Sequence, residues 1–223
     1  RSLVYSERRQ TPEIRAKYNI EFMDEYLELN HMSLIPAAEK AITDNVYYIN
    51  HHTVLRPSST TTKLRVVFNA SAPTFLGPSL NQLLMSGLKV QRDLFEILVS
   101  FRSYFVAFCA DIVKMYRQIL VHKDDRDFQR IMWRSDLNKS VKEYRLNTLT
   151  YGTVHASFAA QTCLAIIAES IKSEHPLASE TITKCFYMDD LLCGSCSVQG
   201  AVNLQKEIHT SLLSGQFPLR KYI

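Results

Sequence analysis

Glycine and proline are scarce, 6 and 7 residues in a chain of 223. Long flexible linkers and low-complexity tracts draw on both, so neither is expected, and no internal repeat is found. The cysteines, Cys109, Cys163, Cys185, Cys193 and Cys196, are odd in number and mostly lie in apolar runs. That argues against a disulfide framework and for a reducing, intracellular setting. Cys193-Gly194-Ser195-Cys196 has CxxC spacing, but no second pair accompanies it, and a structural zinc site needs four ligands. No run approaches the roughly 18 to 20 apolar residues of a membrane span, and no signal peptide opens the chain, so no membrane partner is expected. No Gly-x-Ser-x-Gly, Walker A or Rossmann fingerprint occurs. Charge is also short of an extreme. The formal net charge of +4 permits a nucleic-acid partner without demonstrating one. What is present is ordinary globular composition, 46% apolar, enough for one large core or two smaller ones. The chain opens on Arg1 and stops inside a pattern at Lys221-Tyr222-Ile223, so it is expected to be part of something longer.

Thr11-Pro12 predicts a helix start, with Thr as N-cap and Pro at the first helical position. Ile14, Tyr18, Phe22, Tyr26 and Leu29 follow as one apolar stripe, and Asn30-His31 ends it. Residues 46–49, 52–55 and 63–68 read as strands, with 57–62 as a loop. His51 and His52 stand in a strand, where their side chains diverge. Leu94, Ile97, Leu98 and Phe101 have the spacing of an amphipathic helix. Residues 104–110 are nearly all apolar and suggest a buried strand, with Asp111 at its end. Residues 123–130 are charged and predict an exposed turn and edge. Residues 130–133 and 141–146 are expected to pair around Asp136-Leu137-Asn138. The cations between Lys114 and Arg134 fit either a solvated face or a track for a template. Residues 152–173 predict a helix buried on most sides. Ala201, Leu204, Ile208 and Leu212 predict another, with Gly215 as its C′ residue. The order suggests an α+β layer, an antiparallel sheet with helices on one face.

The chain is organised around Phe186-Tyr187-Met188-Asp189-Asp190-Leu191-Leu192. Two adjacent aspartates in a strand point to opposite faces, but in a tight turn between residues 184–188 and 191–193 both can reach one point. Burying carboxylates there is costly without a counter-charge. If Asp111 lies on a neighbouring strand, three carboxylates converge and repel one another unless cations are present. Isolated aspartates at strand ends also serve as helix N-caps, which is the plainer reading of Asp111 alone. The pair between apolar strands favours Mg²⁺, which is usually held by one or two carboxylates plus phosphates.

Tyr187-Met188-Asp189-Asp190, with Leu191-Leu192-Cys193-Gly194-Ser195 after it, resembles the signature hairpin of retroviral and retrotransposon reverse transcriptases. Residues 54–68, Val54-Leu55-Arg56-Pro57 through Lys63-Leu64-Arg65-Val66-Val67-Phe68, resemble the fingers segment of BEL/Pao-type retrotransposons. Ala110-Asp111-Ile112-Val113-Lys114-Met115-Tyr116 resembles the first palm motif, and Leu146-Asn147-Thr148-Leu149-Thr150-Tyr151-Gly152 the second. Phe217-Pro218-Leu219-Arg220-Lys221 is similar to the block after the second palm helix. The likeness covers nearly the whole chain from Thr11 onward.

The resemblance implies a right-hand polymerase fold with fingers and palm. Residues 1–104 would be the fingers side with the start of the palm, 105–118 palm, 119–151 a fingers insertion and 152–223 palm. Thumb, connection and RNase H parts are absent. It implies RNA-directed DNA polymerase activity, with two Mg²⁺ ions, or Mn²⁺, activating a primer hydroxyl and stabilising the leaving pyrophosphate. Asp111 and Asp189 would be metal ligands, assisted by the Ile112 carbonyl, with Asp190 as supporting carboxylate. Tyr116 would be the steric gate against a ribose 2′-OH, which argues against an RNA-dependent RNA polymerase. Arg65, with Lys63 as a weaker candidate, would clamp the triphosphate. Backbone N–H groups of Met115 and Tyr116 would face phosphates, and Tyr151-Gly152 would pack on the nucleotide. Met188 would lie near the primer end, and Lys221 would protonate the leaving group. Implied partners are dNTPs and an RNA or DNA template with primer. RNase H and integrase parts of a polyprotein are expected downstream, in a cytoplasmic particle. Three positions differ from the usual pattern: Asn69 stands where Asp is usual, Ser157 where Pro is expected, and Tyr151 where retroviral enzymes have Gln, although an aromatic is usual there in the BEL/Pao-like group. With the truncation, they leave open a catalytically incomplete remnant that binds nucleic acid at most.

Overall fold

The Thr11-Pro12 pair starts a helix, as its capping chemistry predicts. In the computed structural model, Thr11 accepts a hydrogen bond from the Ile14 N–H, and α2 (Pro12–Lys17) begins at the proline. The residues described are 2–39, 45–55, 64–75 and 77–223. The chain divides into two compact units: residues 1–85 with 119–156, and residues 86–118 with 157–223. Set beside the expected segments, 86–104 falls with the second unit and 152–156 with the first. The physical reasons are local. Residues 94–101 pack on the hairpin that carries the aspartate pair, and residues 151–154 are tied to residues 66–81.

The first unit opens with α1 (Ser2–Arg8), which the sequence reading missed. After α2 the helix widens into a π-helical stretch, Tyr18–Asp24, before α3 (Glu25–Glu28). Asn30 then turns left-handed, at φ 56°, and ends it. Of the expected stripe, Tyr18 and Tyr26 are buried, joined by Met23, while Leu29 is exposed. Three strands, β1 (Met32–Leu34), β5 (Arg130–Trp133) and β6 (Lys142–Leu146), form an antiparallel sheet in the order β1-β6-β5. β5 and β6 are the hairpin expected around Asp136-Leu137-Asn138, in the register Ile131↔Tyr144. β2 (Asn50–Leu55) and β3 (Leu64–Asn69) pair antiparallel. Residues 46–49 form no regular strand. They contribute one bridge, Tyr48 to Arg130, with backbone hydrogen bonds on either side of it. β3 alternates strictly, with Leu64, Val66 and Phe68 buried, and its inward ring Phe68 meets Phe22, Tyr26, His51 and Tyr151 in an aromatic core.

The charged stretch before β5 is an exposed turn only in part. It is a 3-10 helix, Lys123–Gln129, exposed at Lys123, Asp124, Asp125 and Phe128 as expected, but it ends in Gln129 and Arg130, which are buried. The Arg130 guanidinium binds Asp127 at 2.7 Å, and Arg145 reaches the same carboxylate at 2.6 Å. Arg134 makes a two-pronged pair with Glu7 at 2.7 and 2.6 Å. Arg130 and Arg134 therefore serve internal pairing, not a cationic track.

The second unit holds a four-stranded antiparallel sheet in the order β7 (Phe186–Tyr187), β8 (Asp190–Ser195), β4 (Val106–Ile112), β9 (Leu219–Arg220). β4 is not buried on both faces. Ala110 and Ile112 are buried on one face, as are Leu191 and Cys193 of β8, while Ala107 is exposed. An antiparallel sheet needs only one covered face, so an apolar run does not require two. α5 (Leu94–Phe101) contacts β7 and β8, and α8 (Val198–Ser214) contacts β4 and β8. Only Ile97 of the α5 stripe is fully buried. α6 (Ala156–Ile171) begins four residues later than expected and buries Ala156, Ala160, Leu164 and Ala168 along one line. Residues 184–185 close a missed helix, α7 (Pro176–Lys184), instead of opening a strand. Gly215 has an ordinary φ of −88°, and Gln216, at φ 62°, is the left-handed residue after α8. A Cβ at 215 would lie 2.3 Å from Cδ1 of Ile167, a side-chain end that would have to turn aside.

Candidate active site

The register of the second unit's sheet builds the site. Asp111, next to last in β4, stands directly opposite Asp190, the first residue of β8. Partners opposite each other share a face of the sheet, so both carboxylates rise from the side away from Ala110 and Leu191. Between β7 and β8 the loop has two residues, Met188 and Asp189, with Tyr187 paired to Asp190. Asp189 is stitched to β4 through its carbonyl, which accepts the Ile112 N–H at 2.9 Å. A two-residue hairpin suits the sheet's twist when its first residue takes positive φ, and Met188 is at 57°. That position favours glycine, so the neighbours must hold Met188 there. Gln91 Oε1 accepts the Met188 N–H at 3.1 Å, and Gln161 Nε2 lies 3.5 Å from the Met188 sulfur. Both glutamines, with Tyr187, line a cavity of about 370 Å³ that also carries Lys89 and Arg92.

The three carboxylates are not alike. Burial would raise the Asp111 carboxyl, but hydrogen bonds from Lys221 and Arg220 outweigh it and hold the group below the ordinary range. Arg220 Nε lies 3.0 Å from Oδ1, and Lys221 Nζ lies 2.9 Å from Oδ2. Asp190 goes the other way. Burial, then the charges of Asp189 and Asp111, push its carboxyl up. Tyr116 sits half-buried on a 3-10 turn, Met115–Gln118, entered through the left-handed Lys114 at φ 51°. Burial raises its phenol, the Ser157 hydroxyl lowers it by hydrogen bonding, and the Asp189 charge raises it further. The Met115 side chain is buried in the core.

Comparison with protein-family models and with characterised proteins finds no match to this chain. The likeness to reverse transcriptases therefore rests on the quoted motifs.

The second unit holds Asp111, Ile112, Met115, Tyr116, Met188, Asp189, Asp190 and Lys221. The first holds Arg65, Tyr151 and Gly152, and Lys63 lies outside the described residues. Arg65 is exposed on β3, opposite Val54. Tyr151 donates its hydroxyl hydrogen to the Val66 carbonyl at 2.9 Å and meets the Phe68 ring edge-on. Gly152 has φ 97°, and a Cβ there would lie 2.2 Å from the Phe68 carbonyl oxygen, so only glycine fits. Asn81 pins the same turn, donating to the Gly152 carbonyl and accepting from the Val154 N–H. The reading of the sequence missed Arg220, Gln91 and Gln161. Only Arg220 stood inside a quoted motif, and no local spacing signals the other two.

The donor chemistry fits a hard divalent cation: carboxylate oxygens, with Asp111 opposite Asp190 and the Asp190 carboxyl pushed up by burial and then by its neighbours' charges. Among the described residues, however, no three His, Cys, Asp or Glu side chains are gathered as around a bound ion. Both oxygens of Asp111 are instead engaged with Arg220 and Lys221. Among the described residues, no helix is long and apolar enough to cross a membrane.

Proposed function

We propose that the chain is the fingers–palm part of an RNA-directed DNA polymerase of the BEL/Pao retrotransposon type. One observation carries the reading: Asp111 and Asp190 are register partners at one end of the sheet, with Asp189 in the two-residue loop beside them. The substrates are a dNTP and a primer on an RNA or DNA template. The primer 3′-OH attacks the α-phosphate and pyrophosphate leaves. Bound Mg²⁺, or Mn²⁺ in its place, supplies Lewis-acid stabilisation of the attacking and leaving oxygens. Asp111, Asp189, Asp190 and the Ile112 carbonyl would hold it. The residues themselves contribute position and charge rather than covalent chemistry. Tyr116 would be the gate against a 2′-OH, and its half-buried phenol, hydrogen-bonded to Ser157, supports that role. Met188, held by Gln91 and Gln161, faces the primer end. A sugar–phosphate strand could enter the 370 Å³ cavity beside it if Lys89 and Arg92 exchange their exposed pairings with Asp93 and Glu96 for phosphates. Arg65, Tyr151 and Gly152 keep, in this reading, the nucleotide roles that the resemblance implies.

The test is primer extension on an RNA template with dNTPs and Mg²⁺, wild type beside Asp189→Ala. Extension by the wild type alone supports the reading. Equal extension by both sinks the assignment of Asp189. The second reading, a polymerase-fold remnant without activity, draws on the occupied Asp111 carboxylate. It is favoured if neither protein extends the primer even when Mn²⁺ replaces Mg²⁺.

A further inference from the structure

We propose that Arg220 and Lys221 form an internal counter-ion for Asp111 that competes with a divalent cation, so that cation binding and the docking of residues 219–223 on β4 exclude each other. The proposal rests on the reading of Asp111 as a metal ligand.

Neighbouring residues of a strand point to opposite faces, so two adjacent cations do not normally reach one carboxylate. Here the register is broken to allow it. Ile112 pairs with Leu219 and Asp111 with Arg220, as a regular antiparallel ladder requires. The next backbone exchange joins Cys109 to Ile223, N–H to carbonyl in both directions at 3.1 Å. Only Ala110 lies between on one side, but Lys221 and Tyr222 lie between on the other. The extra residue is a β-bulge, and Lys221 takes its left-handed position at φ 54°. A lysine there is strained where a glycine would not be. The result is that both Asp111 oxygens are engaged, one by each cation. Beyond the bulge, the Tyr222 hydroxyl is hydrogen-bonded to His209 on α8 at 3.0 Å.

Two unit charges on one carboxylate equal the charge of a divalent cation, and they fill the oxygens such an ion needs. Exchange is feasible because the pair is not locked in. The Arg220 and Lys221 side chains are 49% and 44% exposed, where a single ion pair is weak and water can replace it. Asp190, directly opposite, feels Lys221 only as a distant charge and remains the carboxylate short of a partner.

Mn²⁺ binding to the whole chain, followed by electron paramagnetic resonance of the free ion, tests this with Arg220→Gln/Lys221→Gln and Asp111→Asn beside the wild type. The expected result is Mn²⁺ binding about fivefold tighter in the double variant, from the loss of two exposed ion pairs, and weaker in Asp111→Asn. In the wild type, saturating Mn²⁺ should also speed hydrogen exchange at the Cys109 and Ile223 amides, a readout that needs no variant to fold. Unchanged or weaker Mn²⁺ binding in the folded double variant, or unchanged exchange at saturating Mn²⁺, overturns the competition. If Asp111→Asn binds Mn²⁺ as the wild type does, Asp111 is not a ligand, and the failure lies in the functional reading itself.

Discussion

Asp127→Asn should remove a defined share of the acid sensitivity of the first unit. Burial would raise the Asp127 carboxyl, but hydrogen bonds from Arg145 and Arg130 more than reverse it and bring it from 3.8 down to about 2. A carboxyl depressed on folding contributes stability above its unfolded value and loses it as pH falls toward its folded value. The window is therefore about pH 5 to pH 2. The difference corresponds to about 2 kcal/mol, with little discount for solvent because the side chain is only 13% exposed. At pH 7 the variant should also be less stable by about 3 kcal/mol, since buried Arg130 loses the carboxylate it binds at 2.7 Å and keeps Glu143 only at 3.8 Å. The assay is urea unfolding followed by the fluorescence of Trp133, the sole tryptophan, which is buried in this unit and hydrogen-bonded to Asn19. The stability gap between wild type and variant should shrink by about 2 kcal/mol between pH 5 and pH 2. Other acid-sensitive groups cancel in that difference. A gap that stays constant to within about 0.5 kcal/mol would refute the argument.

Gly152→Ala should destabilise the first unit by about 3 kcal/mol in the same unfolding assay, from positive φ and from collision with the Phe68 carbonyl. Gln91→Leu removes the acceptor of the Met188 N–H. It should cost about 1 kcal/mol and raise exchange at the Met188 amide, while Gln91→Glu should keep that amide protected. Asp190→Asn removes a like charge directly across from Asp111 and should stabilise the metal-free protein by a few tenths of a kcal/mol at pH 7. Because the Asp190 carboxyl is raised on folding, its charge costs stability only above its titration, so the gain should vanish in thermal unfolding at low pH.

The elements that the sequence revealed are those whose cause is local. Thr11-Pro12 caps its own helix, the apolar runs around Asp136 find each other across a short turn, and Leu204, Ile208 and Leu212 share one helix face. α7 was hidden for a chemical reason. Pro176 reads as a breaker but is its first residue, and its buried face includes Ser179 and Thr181 beside Ala178 and Ile182. The Thr181 and Thr183 hydroxyls donate to carbonyls four residues back, so the helix satisfies these polar groups itself and no clean apolar period appears. In the charged run 123–130 the exposed part was legible, but the pairing of Asp127 and Arg130 was not, because their partners Tyr48, Glu143 and Arg145 come from other parts of the chain. At the candidate site the three aspartates stood in the quoted motifs, and the structure sets Asp111 opposite Asp190 in register. Gln91 and Gln161 were not legible, since their contacts with Met188 span 97 and 27 residues.

The two units treat charge differently, and that contrast bears on function. In the first, buried or half-buried charges are matched within the unit: Arg130 and Arg145 on Asp127, Arg145 on Glu39, Arg134 on Glu7. Such closed sets hold a fold together and ask nothing of the solvent. In the second, Asp111 stands opposite Asp190 with Asp189 next in the chain, while Arg220 and Lys221 both go to Asp111. A sheet selected only for stability would not set one aspartate directly opposite another and raise the carboxyl of one of them. It would not place methionine, rather than glycine, at φ 57° in the turn beside them either. These costs fall within a few residues of one another at the end of one sheet. Strain and unmatched charge coincide here, and the proposed divalent cation would supply the positive charge that the fold does not.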